Sequence, residues 1–295
     1  MERENNSVIE FIIFGGTGDL ARRKLFPGFY NLYKKGVLSD NLKIRAIGRR
    51  YKREEKYCRQ IKKSVKKHSR LEFTETDWRG FRKKINYLQF DIKSDTGYKK
   101  LKEDIDNTPV VFYLAVAPDF FDLIVNKLEQ YGLNNGARLV IEKPFGYDLE
   151  SARRLNNKIN SVFSEEDIFR IDHYLGKEML QNIMVIRFAN SIFEPLWNNK
   201  YIDNIQIIST ESSGVGDRTG YYERSGALKD MVQNHMMQLL SLTAMEPPVD
   251  MKTESIRDEK VKVLKTITLD TDKIKNNVIR GQYGPGRIDG NSVAG

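Results

Sequence analysis

The chain has 295 residues, of which 40% are hydrophobic and 30% charged, and its formal net charge is +9. This length suits two domains of ordinary size, and the composition excludes a disordered or collagen-like chain. The apolar runs are too short for a bilayer and the N-terminus has no apolar signal region, so we predict a cytoplasmic protein with no membrane contact. The single cysteine, Cys58, cannot form an internal disulfide, which fits a reducing compartment.

Short β-rich runs alternate with helical stretches through the first half of the chain. Each run is reached through a segment long enough for a crossover, and the first such segment, Arg22–Lys35, has apolar residues at helical spacing. The predicted strands are Val8–Phe14, Leu42–Gly48, Ile85–Ile92, Val110–Val116, Arg138–Lys143 and Ile168–Tyr174. The pattern predicts an α/β fold that begins with a Rossmann-like, doubly wound parallel sheet over residues 1–175.

A strongly basic segment, Arg49–Arg70, lies between the second and third predicted strands. It holds eleven Lys or Arg against two Glu, a balance that suits sugar phosphates and dinucleotides as well as nucleic acid. Tyr57, Ile61 and Val65 recur every four residues, which predicts an amphipathic helix with a solvated basic face. No base-stacking aromatics are interleaved with the charges, so we predict no nucleic-acid partner.

The pattern changes in the second half of the chain. Helical stretches at Glu178–Ala189 and Lys229–Ala244 flank a strand-like run at Ile205–Thr210, and alternating apolar residues follow over Val261–Ile267. This mixture of helix and strand predicts an α+β domain with an antiparallel sheet over residues 176–295.

A glycine-rich run, Gly15–Ala21 (GGTGDLA), follows the first predicted strand directly. At this place the pyrophosphate of a dinucleotide would meet backbone N–H groups and a helix N-terminus. The spacing Gly-x-x-Gly-x-x-Ala departs from the usual dinucleotide pattern, so a plain tight turn is the alternative.

The end of the second predicted strand indicates which dinucleotide is bound. An NAD-binding domain normally has Asp or Glu there, whereas this chain continues into Arg49 and Arg50. Guanidinium groups suit a 2′-phosphate, so we predict NADP as the cofactor. The alternative is that both arginines merely begin the basic helix.

Two further runs carry polar residues near predicted strand ends. Glu142–Gly146 (EKPFG) follows the fifth strand, at the edge where ligands of such folds collect, although a simple turn would also explain it. Arg170–Glu178 (RIDHYLGKE) brings together donors suited to a phosphate and a carboxylate that could orient a base. The chain has three histidines, and His235 lies in a predicted helix, where a packing role is the ordinary alternative.

These runs occur in the order and approximate spacing of the glucose-6-phosphate dehydrogenase family, which the chain resembles over nearly all its length. The resemblance extends to Arg187–Asn190, Gln233–His235 and Arg280–Tyr283. It implies an oxidoreductase that converts D-glucose 6-phosphate to 6-phospho-glucono-1,5-lactone with NADP as hydride acceptor, the first step of the pentose phosphate pathway, without a metal. The full-length family forms homodimers or homotetramers, an expectation that does not extend to this chain. Because the resemblance stops within the family's second domain, we expect a C-terminally incomplete chain that binds NADP, holds glucose 6-phosphate poorly and has very low or absent activity.

The resemblance also implies a role for each matching position. His235 would be the general base, and Asp172 the carboxylate that orients it. The positions implied to bind the substrate are Lys143, His173, Tyr174, Lys177, Glu211 and Asp230. The positions expected to bind the cofactor are Gly15, Thr17, Gly18, Asp19, Arg49 and Lys143.

Two other functions agree with parts of the pattern. A different sugar oxidoreductase with a Rossmann domain and a Glu-Lys-Pro turn would share Lys143 but would not explain the run Arg170–Glu178. A non-catalytic nucleotide-binding fragment of such an enzyme would keep the fold without turnover.

Overall fold

The computed structural model describes residues 9–105, 108–210, 214–215, 219–268, 272, 274–288 and 290–293. The chain divides into two compact units, residues 1–171 and residues 172–295. Among the described residues, every helix is too short or too polar to cross a membrane.

The first unit is built on a six-stranded parallel sheet with the order β3-β2-β1-β4-β5-β6. Its strands are β1 (Ile9–Phe14), β2 (Leu42–Gly48), β3 (Ile85–Gln89), β4 (Val110–Leu114), β5 (Arg138–Ile141) and β6 (Ile168–Arg170). The strand order reverses between β1 and β4, and such a reversal opens a crevice at the carboxyl ends of the strands. The predicted doubly wound sheet is therefore confirmed.

Helices cover both faces of this sheet. A π-helical turn, Ala21–Leu25, leads into α1 (Phe26–Lys34), and the other helices are α2 (Glu54–His68), α3 (Glu75–Arg82), α4 (Asp95–Asp104), α5 (Phe121–Gln130) and α6 (Leu149–Asn160). Side chains alternate across β1, so Ile12 packs into the hydrophobic cluster under α4 to α6, and Ile13 into the cluster under α1 to α3. Tyr57, Ile61 and Val65 are buried in the second cluster, which confirms that the basic segment forms an amphipathic helix.

The second unit consists mainly of helices with a short antiparallel hairpin. Its helices are α7 (Glu178–Phe188), α8 (Thr219–Ala227), a π-helical segment at Leu228–Met236, α9 (Met237–Ala244), α10 (Thr253–Thr266) and α11 (Ile274–Asn277). The hairpin pairs β7 (Gly286–Ile288) with β8 (Asn291–Val293). The buried core of this unit comprises Tyr174, Leu180, Leu239, Leu242 and Met245. This α+β mixture agrees with the predicted fold class.

Two local predictions in the second unit are wrong. The run 205–210 has no regular secondary structure, because an apolar run becomes a strand only where a neighbouring strand completes its hydrogen-bond ladder. The run 261–267 lies mostly in α10, where Ile256 and Val263 pack on the core at helical spacing. So short an apolar run fits both the two-residue period of a strand and the 3.6-residue period of a helix. Packing of α10 against α9 favours the helix.

Candidate active site

The glycine turn after β1 leaves a concave surface of backbone beside the sheet. Gly15 has φ +85°, and a Cβ at this position would lie 2.3 Å from the carbonyl oxygen of Ala115. A Cβ on Gly16 would lie 2.6 Å from the Cβ of Ala46, and the N–H of Gly18 donates to the carbonyl of Gly15 at 2.8 Å. Because only glycine fits so closely, the chain can turn sharply after β1 and a ligand can approach its backbone, as pyrophosphate binding requires. The residues present therefore fit a dinucleotide.

Five residues form a basic pocket next to this turn. They are Thr17, Arg22, Arg49, Arg50 and Lys52. Burial and the nearby charges of Arg22 and Arg50 lower the pKa of Lys52. The lining contains no carboxylate that would compensate these charges, so the pocket favours an anion such as a phosphate group.

A second cavity of about 320 Å³ continues from Gly15, Thr17 and Arg49 along the carboxyl edge of the sheet. Its other lining residues are Ile47, Gly48, Phe90, Asp91, Ile92, Lys93, Val116 and Phe120. Of these residues, Phe90 to Lys93 and Phe120 were not predicted as site residues from the sequence. Their position in the sequence could have indicated this role, because Phe90 to Lys93 follow β3 and Phe120 follows β4. Residues beyond the carboxyl ends of parallel strands line the ligand crevice of such folds.

The other two predicted cofactor positions are less enclosed. The side chain of Asp19 is exposed, and its carboxylate lies 3.4 Å from Arg23. Lys143 is half-buried and directly follows β5 with Glu142, whose carboxylate accepts a hydrogen bond from the hydroxyl of Tyr113. Burial, reinforced by this bond to Glu142, raises the pKa of Tyr113, which therefore remains a donor.

The second unit holds an Asp–His pair. Nδ1 of His235 lies 2.6 Å from Oδ1 of Asp172, and the histidine side chain is 1% exposed. The same carboxylate oxygen accepts the backbone N–H of Tyr174 at 2.9 Å, which fixes its orientation at the start of the turn 173–176. With Nδ1 donating to Asp172, the acceptor nitrogen of the neutral ring is Nε2. This geometry is that of a general base oriented by a carboxylate.

Aromatic and basic groups surround the pair. The ring of Tyr174 stacks on that of His235 with centroids 3.8 Å apart, and the ring of His173 lies at 4.6 Å, edge to face. Nζ of Lys177 lies 3.4 Å from the centre of the Tyr174 ring. The structure thus brings His173, Tyr174 and Lys177 together with His235, although they lie about sixty residues apart in sequence.

Two half-buried charged residues, Asp230 and Lys260, also lie in the second unit. Asp230 is half-buried in the π-helical segment that also carries His235. Lys260 of α10 is also half-buried, and burial lowers its pKa while the nearby Asp172 carboxylate opposes this effect. Lys260 was not predicted as a site residue, and it directly precedes the run 261–267 that was predicted as a strand. Glu211 lies outside the described residues.

Asp172, His173 and His235 place one potential metal ligand each within 4.8 Å of one another. The 2.6 Å separation within the Asp–His pair is that of a hydrogen bond. Two ligands of one tetrahedral zinc ion lie farther apart, at about 3.3 Å. The arrangement therefore fits acid–base chemistry better than metal binding.

Comparisons with known proteins identify the family of this chain. The family model described as "Glucose-6-phosphate dehydrogenase, NAD binding domain" matches residues 12–182, and the one for the C-terminal domain of the same family matches residues 184–295. The chain is 47% identical to a glucose-6-phosphate 1-dehydrogenase of Bacillus subtilis over 95% of its own length and 58% of that relative. It is 43% identical to one of Rhizobium meliloti over 97% and 60% of the two chains. The chain therefore spans about three fifths of the curated relatives that it matches.

Solved structures give the same result. A glucose-6-phosphate 1-dehydrogenase from Mycobacterium avium matches with a TM-score of 0.82 and 34% identity, over 88% of this chain and 56% of that one. A glucose-6-phosphate dehydrogenase in complex with its substrate glucose-6-phosphate matches with a TM-score of 0.87 and 35% identity, over 100% and 62%. The fold contains a nicotinamide-nucleotide-binding domain and an Asp–His pair, and the two family models together match nearly the whole chain. The chain therefore belongs to the glucose-6-phosphate dehydrogenase family.

Proposed function

We propose that the chain carries the cofactor site and the catalytic pair of an enzyme that oxidises D-glucose 6-phosphate to 6-phospho-glucono-1,5-lactone with NADP. The observation that carries the proposal is the 2.6 Å contact between buried His235 and Asp172. A carboxylate on Nδ1 fixes the tautomer and orientation of the ring and stabilises the imidazolium that forms when Nε2 accepts a proton, as a general base requires.

In the proposed reaction, Nε2 of neutral His235 accepts the proton of the anomeric hydroxyl. Asp172 holds the ring in the required tautomer and stabilises the imidazolium that forms. The nicotinamide, when bound, accepts the hydride from the same carbon. His173, Tyr174 and Lys177 bind the 6-phosphate, and Lys143, Glu211 and Asp230 bind the sugar hydroxyls.

The preference for NADP is proposed on the basic pocket beside the glycine turn. Arg49 and Arg50 occupy the place where an NAD-binding domain has a carboxylate, and Arg22 and Lys52 add to the positive charge. A guanidinium binds phosphate through two parallel hydrogen bonds, so we assign the 2′-phosphate to Arg49.

The experiment measures binding and turnover separately. Calorimetry gives the affinities for NADP and for glucose 6-phosphate, and absorbance of the reduced nicotinamide gives turnover with glucose 6-phosphate beside free glucose. Turnover that requires the phosphate supports the proposal. Binding of both ligands without turnover supports the non-catalytic alternative, and turnover of free glucose as fast as that of glucose 6-phosphate would refute the substrate assignment.

A further inference from the structure

Two tyrosines outside the predicted site contact the backbone of the proposed cofactor region. Tyr57, on the basic helix α2, is 1% exposed, and its hydroxyl donates to the carbonyl of Gly16 at 2.7 Å. The N–H of Gly16 in turn donates to the carbonyl of Ile47 on β2 at 2.8 Å. Both polar groups of Gly16 are therefore held, one by a side chain and one by the sheet.

Tyr87, on β3, contacts the segment that carries the arginines. Its hydroxyl lies 3.1 Å from the carbonyl oxygen of Gly48 and 2.5 Å from that of Arg50, on either side of Arg49. The amide of Gln89 adds a weaker contact to the carbonyl of Arg49 at 3.4 Å. The backbone of residues 48–50 is thus held by Tyr87 and Gln89, neither of which lines the pocket of Arg49 and Arg50.

The two tyrosines form one unit. Their rings stack with centroids 4.5 Å apart and an interplanar angle of 25°. A Cβ on Gly48 would lie 2.7 Å from both the hydroxyl oxygen of Tyr87 and Cγ2 of Thr17. The glycine turn, the segment 48–50 and the stacked tyrosines are therefore closely packed at this point. Burial raises the pKa of both tyrosines, and their hydroxyls therefore remain protonated donors.

We infer that Tyr57 and Tyr87 are positioning residues for the dinucleotide, with separable effects. Tyr57 fixes the turn that receives the pyrophosphate, a group that NAD and NADP share. Tyr87 fixes the backbone from which Arg49 and Arg50 project, and so sets the preference for a 2′-phosphate. The second role rests on the proposed function, because it needs Arg49 to bind that phosphate.

Dinucleotide affinities of Tyr-to-Phe variants test the inference. A neutral hydrogen bond contributes about 0.5–1.5 kcal/mol, which corresponds to about two- to tenfold in affinity. Tyr87→Phe should weaken NADP binding by this factor and leave NAD binding nearly unchanged. Tyr57→Phe should weaken both equally. The matched control is Tyr30→Phe, because Tyr30 is buried in the same cluster but its hydroxyl accepts from the N–H of Thr74, away from the turn.

The ratio of the two affinities separates positioning from loss of stability, since a destabilised fold weakens NAD and NADP together. In an Arg49→Ala background, Tyr87→Phe should change this ratio much less, because the guanidinium assigned to the 2′-phosphate is gone and only Arg50 remains. An unchanged ratio in Tyr87→Phe, or a loss in Tyr57→Phe no larger than in Tyr30→Phe, overturns the inference. A parent chain that binds NADP and NAD equally would instead refute the Arg49 assignment, and Tyr57→Phe would still decide the role of the turn.

Discussion

The two units of the chain support their functional groups in different ways. In the first unit, large hydrophobic clusters cover both faces of a six-stranded sheet, and the glycine turn and the basic pocket lie beside this sheet. In the second unit, the Asp172–His235 pair rests on a small core, and most of the exposed large apolar side chains among the described residues lie in this unit. The proposed dinucleotide site therefore lies on an extensively packed sheet, whereas the proposed acid–base pair depends on a few individual contacts.

Removal of the proposed base should have the largest effect. In His235→Asn, we expect the turnover of glucose 6-phosphate that the parent chain retains to fall by about 10²–10⁴-fold, because a general base acts in the transition state. The affinity for NADP, a property of the first unit, should not change. The matched control is His68→Asn, since His68 ends α2 in the first unit. Initial rates and calorimetry check both statements, and near-parental turnover in His235→Asn would show that another group is the base.

Arg187 supports the core under the Asp–His pair. Its guanidinium donates to the carbonyls of Leu242 and Met245 at 2.7 and 2.5 Å, at the end of α9, and it lies over the rings of Phe188 and Trp197. Burial lowers the pKa of Arg187. In Arg187→Met, two carbonyls lose charge-assisted partners, and we expect the second unit to lose about 2–4 kcal/mol of its free energy of unfolding.

The two units can be followed separately in this experiment. Trp197 reports on the second unit once Trp78 is replaced by Phe, and the single cysteine, Cys58, reports on the first. Burial raises the pKa of Cys58 to about 11, so the folded first unit should react slowly with a thiol reagent. Urea unfolding should show a shift in Trp197 fluorescence and no shift in Cys58 labelling. The control is Arg257→Met, which removes only an exposed pair with Glu254. Equal shifts in both probes would mean that the units unfold together.

Loss of the proposed phosphate contact should have an intermediate effect. We expect Arg49→Ala to weaken NADP binding by about ten- to a hundredfold, because one charge-assisted hydrogen bond contributes about 1.5–3 kcal/mol. NAD binding should change little. Arg59→Ala is the control for net charge, since Arg59 is an exposed residue of α2. Equal losses for NAD and NADP would contradict the assignment of Arg49.

The secondary structure of the first unit could be predicted from the sequence more accurately than that of the second. The strands and helices of the first unit follow from local periodicity, because burial on both faces of a parallel sheet leaves an apolar run in each strand. In the second unit, the runs 205–210 and 261–267 were predicted wrongly, since pairing and packing partners are not local signals. Proximity of Asp172 and His235 came only from the family resemblance. The hydrogen bonds of Tyr57, Tyr87 and Arg187 end on backbone carbonyls, which no side-chain motif reveals.

The smallest predicted effect comes from the loss of a helix cap in the first unit. It tests whether a small loss of stability in the first unit also changes the stability of the second. Thr74 caps α3 by accepting the N–H of Asp77 at 3.1 Å, and its hydroxyl lies 2.6 Å from Oδ2 of the same residue. This bond, with a smaller contribution from Lys34, lowers the pKa of Asp77.

A carboxyl group whose pKa is lowered on folding stabilises the fold above its unfolded pKa, and this stabilisation is lost as the pH falls through the folded pKa. Loss of the cap in Thr74→Ala should therefore cost the first unit about 1 kcal/mol near neutral pH, and the difference from the parent should shrink below about pH 4. Thr76→Ala, an exposed change in the same helix, should show no such pH dependence. Because the cap contacts only the first unit, Cys58 labelling should register the change while Trp197 fluorescence does not, and a response from Trp197 would show that stability is shared across the two units.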